Sequence, residues 1–559
     1  MADPMKALSL LLLAILTLTT VPPAVSQDAG SEARTKYSQI RQIDHLIEKT
    51  WNEFELKPSS PATDAEWCRR VHLDIIGRIP TVKELDAFTK SKDKDKKLKL
   101  VESLLYDDEY TEEFARNWTT LWTNLLIGRT GGTERNSMIS RDGMQKFLRD
   151  SFARNKPYSK LVDQLLTATG TTTPGAEKFD GATNYLIDKV NAENGTLATA
   201  STSRLFLGLQ VQCTQCHNHP FNDWKQNSFW EMNAFFRQTR AFAGGMRRGD
   251  GGPATLADQD FRGESRNIDE ADLFYELRNG VVEVAFPVFV DGTEIEKCGY
   301  VNVTNRREKF SELVQQSPFF SRVQVNRMWA HFLGYGFTSP VDDLGPHNVP
   351  TNPELLDYLA SEFKSNNYDL RKLIAWISLS RPYSLSSKRT SNNESDDPLL
   401  GHAPKFTHYY LRQMRAEELF ESLLAATEAD NEGSYQQRET MKNRWLQQFT
   451  QAFGTDEGDE TTTFNGTIPQ TLMMFNGELV RSSTGDKKGS LIDRLAYDEN
   501  LKDKDRVEYL FKAGLARRPS RKELSMATKL LRARSGNMKA ALQDVWWVIL
   551  NSNEFIFNH

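Results

Sequence analysis

Cysteine is scarce in this chain of 559 residues, which has only Cys68, Cys213, Cys216 and Cys298. A disulfide-stapled fold is thereby excluded, and the core must be held by packing. Charge of one sign is lacking too, with 70 basic residues against 75 acidic ones and a net charge of -5. That balance gives no basis for expecting nucleic acid or an anionic membrane as partner. Beyond the N-terminus there is no apolar run near the about 20 residues that a membrane span needs. Wholesale disorder is excluded by 39% hydrophobic and 10% aromatic residues. A single core rarely grows past roughly 250–300 residues, so two or more domains are expected.

The N-terminus, MADPMKALSLLLLAILTLTTVPPAVSQDAG, carries one lysine, then an apolar stretch from Ala7 to Leu18, then Ala24-Val25-Ser26 before Gln27. That order is the signature of a signal peptide over 1–26, with an uncleaved anchor as the competing reading. The mature protein is expected to be exported, periplasmic or extracellular, and not membrane-spanning after cleavage. In an oxidising compartment a CxxC pair is less suited to a reduced metal site, which shifts weight toward haem attachment or a disulfide.

Helical periodicity dominates the chain. Ile43 to Phe54 is helix-like, and Phe114, Trp118, Leu121, Trp122 and Leu125 share one helical face. Capping boxes are expected at Thr81/Glu84, Ser228/Glu231, Thr351/Glu354 and Ser520/Glu523. The centre differs: residues 273–295, LFYELRNGVVEVAFPVFVDGTEI, are rich in Val, Phe and Tyr. Asn279-Gly280 there predicts a type I′ hairpin and Asp291-Gly292 a second turn. The Gly-rich GGMRRGDGGPA before them and the polar segments 387–398 and 454–466 read as loops. GRIPTVKEL (77–85) and ARRPSRKEL (516–524) form a faint repeat, either true or convergent capping chemistry. The expected fold is mainly α, two helical domains with a small central β-hairpin or sheet. The expected boundaries are a signal peptide at 1–26, a helical domain carrying CxxCH at 35–245, a Gly-rich loop and small β segment at 246–304, and a second helical domain at 305–559.

The densest chemistry lies in VQCTQCHNHPFNDW, residues 211–224. Covalent haem attachment requires two thiols for the vinyl groups and a following histidine for iron, which Cys213, Cys216 and His217 supply at the right spacing. Met232 is a conceivable distal ligand, although core packing beside Phe229 and Phe236 accounts for it more simply. A bare zinc or copper ion on Cys213, Cys216, His217 and His219 is the second option, but four ligands within seven residues is tighter than the paired spacing of structural zinc sites. Such a site would need further ligands, His331 among the candidates. A Cys213–Cys216 disulfide is the third, set against helical rather than thioredoxin-like flanks. Pro220 keeps His219 extended, so its ring either faces the CxxCH loop, as a proton donor or a propionate partner, or lies on the surface. Phe221 and Trp224 would supply apolar walls or simply belong to the core. Nothing in the spacing pairs Cys68 with Cys298.

The stretch LFLGLQVQCTQCHNHPFNDWKQNSFWEMNAFF resembles the cytochrome-c-like domain found in many secreted proteins of planctomycetes and related bacteria. RRVHLDIIGRIPTVKEL is similar to that domain's opening segment. FSRVQVNRMWAHFLGYGFTSPVDDLGPHNVPTNPELLDYLASEF and the closing ARRPSRKEL…ILNSNEFIFNH resemble the planctomycete-specific domain that follows it. Both domains are of unknown function. The resemblance implies that Cys213, Cys216, His217 and His219 form the first-domain site, with haem c as cofactor. It also implies that Asn326, Arg327, Trp329, His331, Asp342 and Asp343 are the matching residues of the second domain. Relatives are associated with degradation of complex, often sulfated, polysaccharides. Cys68 stands where the pattern usually has an apolar residue, so no haem role carries over to it.

Arg327 and His331 are four apart and share a helical face, and Asp342-Asp343 follow a Gly334-x-Gly336 turn that could return carboxylates toward it. These four are candidates for acid–base chemistry or sugar binding, or they form a structural ion-pair lock; the structural reading leads. The function expected is an exported c-type haem protein in extracytoplasmic electron transfer or haem-dependent redox chemistry, its partner a redox protein. The alternative is a non-redox enzyme or scaffold on a polysaccharide-derived substrate, with CxxCHxH as a metal site or disulfide.

Overall fold

The computed structural model describes residues 31–134, 136–219, 224–244, 253–427, 437, 440, 490–534 and 537–559. The expected signal peptide at 1–26, Pro220, Phe221, most of the Gly-rich stretch and the polar segment 454–466 lie outside the described residues. Helices dominate, joined by antiparallel sheets of two or three strands, so the fold is mainly α. Among the described residues no helix is long and apolar enough to cross a membrane.

Local sequence explains most helices directly. Asp108–Ile127 buries Phe114, Trp118 and Trp122 at helical spacing, with Leu121 and Leu125 packed beside them. The boxes at Thr81/Glu84 and Ser520/Glu523 form as expected, each glutamate accepting its cap's backbone N–H at 2.6 Å. The other two do not. The helix Gln226–Asn233 begins at Lys225 without a side-chain cap, which leaves Ser228 inside it. Asn352 rather than Thr351 caps Pro353–Ser365, because Pro353 occupies the first helical position and the amide oxygen of Asn352 accepts from Leu355 N.

The repeat is structural. Helices Asp64–Ile76 and Asp503–Leu515 both end on a left-handed residue, Gly77 (φ 78°) and Ala516 (φ 53°). The arginine that follows grips both oxygens of the capping-box glutamate, Arg78 with Glu84 and Arg517 with Glu523. Lys512 then bridges to Asp86 at 3.0 Å, so the two units pack together.

Strands Leu273–Glu276 and Val282–Ala285 pair antiparallel, as the sequence leads one to expect. Their loop is not a two-residue type I′ turn. Leu277 N bonds Val281 O, and only Gly280 (φ 81°) is left-handed, which makes a three-residue loop with glycine last. The Asp291-Gly292 turn repeats that pattern, with Phe289 N on Thr293 O and Gly292 at φ 87°. A three-stranded sheet, in the order Gly170–Thr171, Thr255–Asp258, Thr239–Phe242, was not legible in the sequence.

One apolar core runs from Ala33 to Tyr410 through both halves of the chain, and a second gathers Met414 to Ile556 with Leu73 and Ile79 of the first half. Buried arginines wire the parts together. Arg307 binds Asp258 of the sheet at 2.8 Å and the carbonyls of Leu166 and Ala168. Arg306 binds the carbonyls of Ala234, Ala271 and Cys298. In the helix Asp64–Ile76, Arg69 reaches Gly514 and Phe555 carbonyls, while Arg70 reaches those of Tyr383, Leu385 and His559.

Asp74, on the same helix and fully buried, accepts from Tyr383 Oη (2.6 Å), Arg412 Nη2 (2.6 Å) and Asn558 Nδ2 (2.9 Å). Arg412 also holds Glu418, whose other partner is Arg415. Burial raises the Asp74 carboxyl above its ordinary range, while Arg412 and Arg415 hold that of Glu418 well below, despite its burial.

Burial holds His72 and His559 down to about 4, and His331 well below its ordinary value. The unfolded chain takes up these protons below about pH 6.5 and the folded one does not, so stability is present above that pH and is lost on acidification. Each histidine contributes a slope of at most about 1.4 kcal/mol per pH unit. Urea unfolding at pH 7.5 and pH 5.5 is expected to show a markedly lower midpoint at the acid pH. A pH-independent midpoint would contradict this.

Candidate functional site

The CxxCHxH loop follows a helix that ends abruptly. Thr196–Thr202 widens into a π turn over Ser203–Leu207 and stops at Gly208 (φ 64°). A Cβ at 208 would lie 3.1 Å from Leu344 and Val323, so glycine serves both the left-handed backbone and the close approach. Val211 N then bonds back to Leu209 O at 3.0 Å, and the chain makes a tight 3-10 turn over Gln212–Gln215.

That turn is anchored from inside. Thr214 is buried and its hydroxyl donates to Val211 O at 2.6 Å. Gln215 O accepts from Trp230 Nε1 and Gln226 Nε2, both at 3.2 Å. Gln226 also donates to Glu276 O of the β-hairpin and takes Asn218 Oδ1 on its backbone N–H. Trp224 O accepts from His219 N at 2.8 Å and its ring packs on the main core. Behind the loop, Leu209, Val211, Thr214, Phe229 and Met232 line a cavity with room for about one water. Met232 is thus core, as its packing environment suggested.

The reactive atoms face the other way. Cys213 and Cys216 are both exposed, and neither is in a disulfide. His217 Nδ1 lies 2.7 Å from Asn218 O. A carbonyl only accepts, so Nδ1 carries the proton and Nε2 the lone pair. Cys68 and Cys298 are buried and also unbonded, with Cys68 Sγ 3.7 Å from His72 Nδ1. Among the described residues no three His, Cys, Asp or Glu side chains come close enough to hold a metal ion. The four-ligand set Cys213, Cys216, His217 and His219 is therefore not assembled around one point.

Residues of the second half border this loop. Leu344 N donates to Gly208 O at 2.7 Å, and Gln210 Nε2 to Asp342 Oδ1 at 3.2 Å. Arg204 Nε sits 3.6 Å from Asp342 Oδ2. Arg327 donates to Leu205 O at 3.1 Å. Asn326 organises the turn: its amide donates to Thr338 Oγ1 and Val341 O, and its oxygen accepts from Phe337 N. Trp329 is fully buried against Phe337 and Phe406. Asp343 turns toward Gly345 N (3.1 Å) and His347 Nε2 (3.0 Å). The His347 ring in turn lies 5.8 Å from that of His219, centroid to centroid. Burial, then the neighbouring His347, lowers the His219 pKa.

His331 is not part of this seam. Its Nε2 donates to Asp74 O at 2.9 Å and its Nδ1 accepts from Arg415 at 3.0 Å. Both nitrogens are engaged in the buried network around Asp74, so the four second-domain candidates divide between two places. Arg327 and Asp342 meet the segment that leads into the CxxCHxH loop, at Leu205 and at Arg204 and Gln210, Asp343 approaches the loop through His347, and His331 locks the two halves together. Sequence reasoning missed His347, Arg204 and Gln210. His347 had a local signal, lying four residues after Asp343 in the DDLGPH stretch.

Two family models match the chain: PSCyt2, a protein of unknown function (DUF1549), over residues 42–241, and PSD1, a protein of unknown function (DUF1553), over residues 306–531. The chain is a PSCyt2–PSD1 protein. No curated protein and no solved structure matches it. The CxxCHxH loop lies in the PSCyt2 match and the Asp342–His347 turn in the PSD1 match, so the seam joins the two domains. In reduced PSCyt2–PSD1 protein free of any cofactor, a thiol reagent is expected to titrate two cysteines before unfolding and four after. Four rapid equivalents, or none, in the native protein would contradict the exposure of Cys213 and Cys216 and the burial of Cys68 and Cys298.

Proposed function

We propose that the protein is an exported c-type haem protein, with Cys213 and Cys216 as thioether anchors and His217 as an axial ligand. It acts in extracytoplasmic electron transfer or haem-dependent redox chemistry, with a redox protein as partner. The observation that carries this reading is the outward face of one turn, where two unbonded, exposed thiols precede a histidine whose Nε2 holds the lone pair. The donor set fits the group, and the inner cavity excludes a porphyrin, so attachment is from the solvent side.

Iron porphyrin held there supplies a one-electron couple. The chain's own part is orientation. The Asn218 carbonyl fixes the His217 tautomer and ring orientation, as outer-shell acceptors do for ligating histidines. Trp230 and Gln226 hold the Gln215 carbonyl, which fixes the spacing of the two thiols. The alternative metal reading is disfavoured by the dispersed donors among the described residues. The apolar N-terminal stretch with its Ala24-Val25-Ser26 site supports export, which haem attachment of this type requires.

Protein exported from a host with active cytochrome c maturation is expected to give the pyridine haemochrome spectrum of a thioether-linked haem. Cys213→Ala/Cys216→Ala protein is expected to lose it. Colourless wild-type protein, beside a control cytochrome matured in the same cells, would overturn the proposal.

A further inference from the structure

The β-hairpin beside the CxxCHxH loop has one buried face and one bare face. In the pairing of Leu273–Glu276 with Val282–Ala285, Leu273 lies opposite Ala285 and Phe274 opposite Val284. Alternate residues of a strand point to opposite sides. Leu273, Tyr275 and Ala285 pack with Ala234 and Trp230 in a small apolar cluster of their own. Phe274, Val282 and Val284 therefore share the other side, where they are 38%, 59% and 45% exposed. Apolar side chains gathered on one exposed face, with a polar rim around them, mark an interaction site.

Here the rim is acidic. From Asp269 to Glu296 the chain has eight acidic residues and one basic residue, Arg278, although the whole chain is nearly balanced. Glu276 lies opposite Val282 on the bare face, and Glu283 opposite Tyr275. Glu231, on the helix Gln226–Asn233, joins them. Burial, then Glu283 and Glu231, raise the Tyr275 hydroxyl, and burial with a smaller push from Glu294 raises the Glu231 carboxyl against a hydrogen bond from Asn227. The charged groups that act on this hairpin are thus carboxylates.

The hairpin is tied to the turn that carries the thiols. Gln226 Nε2 donates both to Gln215 O, between the two cysteines, and to Glu276 O at 3.0 Å. Trp230 Nε1 donates to the same Gln215 O, while its ring stacks on Tyr275 with centroids 5.9 Å apart and planes inclined by 15°. One glutamine and one indole are all that separates the hairpin from the turn.

We propose that the bare face of this hairpin docks the redox partner, a protein whose contact surface has an apolar centre ringed by Lys and Arg. That the partner is a redox protein rests on the haem proposed above. Encounters of this kind are small and transient, and complementary charge around an apolar centre steers them. A second copy of the chain suits the face poorly, because a symmetric contact sets the same acidic patch against itself. An anionic membrane surface is repelled for the same reason.

The test measures equilibrium binding of the full-length protein to immobilised, oxidised mitochondrial cytochrome c, a lysine-rich redox protein. Binding is expected at about 0.01 M salt and should be mostly lost at about 0.15 M, as screened charges require. Val282→Thr/Val284→Thr keeps β-branched residues in the strand and leaves the net charge unchanged, and it should weaken binding about 10-fold. Glu276→Gln/Glu283→Gln should also weaken binding and flatten its salt dependence. Glu53→Gln/Glu394→Gln, an equal change of charge at exposed positions in other elements, should have little effect. No binding at low salt, or binding unchanged in Val282→Thr/Val284→Thr, would overturn the proposal. So would a wild-type dimer that the same variant dissociates in sedimentation, since a second copy would then cover the face. Binding is read without reference to the haem. A colourless protein that binds through the hairpin overturns only the haem proposal, and a haemochrome-positive one that does not overturns only this one.

Discussion

The Asp74 carboxylate, fully buried at the end of the Asp64–Ile76 helix, is met by Tyr383, Arg412 and Asn558 from three separate stretches of chain, while its backbone carbonyl takes the His331 ring. A buried ion is costly unless its partners are in place. Here the partners are also the joints of the fold: Arg412 carries Glu418 and, through it, Arg415, while Asn558 brings in the chain's last residues. Removing one partner from a buried pair typically costs about 3–5 kcal/mol, a large share of the about 5–15 kcal/mol that usually holds a native state together. The network thus makes the two domains stand or fall together, in keeping with an apolar core that crosses between them.

That constraint sets the position of the seam. The helix Pro318–Leu333 holds His331 at its last turn, inside the Asp74 network, and Asn326 in its middle. Asn326 gathers Phe337, Thr338 and Val341 around one amide, and the chain then runs directly into Asp342, Asp343 and His347. Gly208 receives Leu344 and passes to the CxxCHxH loop. A fixed helix therefore delivers the PSD1 turn to the PSCyt2 loop, and the loop's outward face remains open for the thiols. The same helix shows how one face can serve two purposes, since Arg327 and His331 are neighbours on it and yet reach different partners.

Much of this was legible in the sequence where the cause is local. The Phe114, Trp118, Trp122 spacing gives its helix, and the boxes at Thr81 and Ser520 mark helix starts, because both depend on residues within a turn or two. Ser228 and Thr351 failed for equally local reasons, a helix opening three residues early and a proline taking the first position. The CxxCHxH motif was legible as chemistry but not as a place. Its neighbours Arg204, Asp342 and His347 are assembled by tertiary contacts that no local spacing encodes. The three-stranded sheet was hidden for the same reason, its short strands being drawn from well-separated stretches. His331 was misplaced because helical spacing shows which residues share a face and not what that face meets.

The most direct test of the account is to produce residues 31–304 and 305–559 separately and together and follow their unfolding. If the buried Asp74 network and the shared core make one folding unit, neither piece alone will show a cooperative transition, and co-expression will restore one. A cooperative melt from residues 31–304 alone, with Cys213 and Cys216 as accessible as in the whole protein and Cys68 and Cys298 still protected, would contradict it.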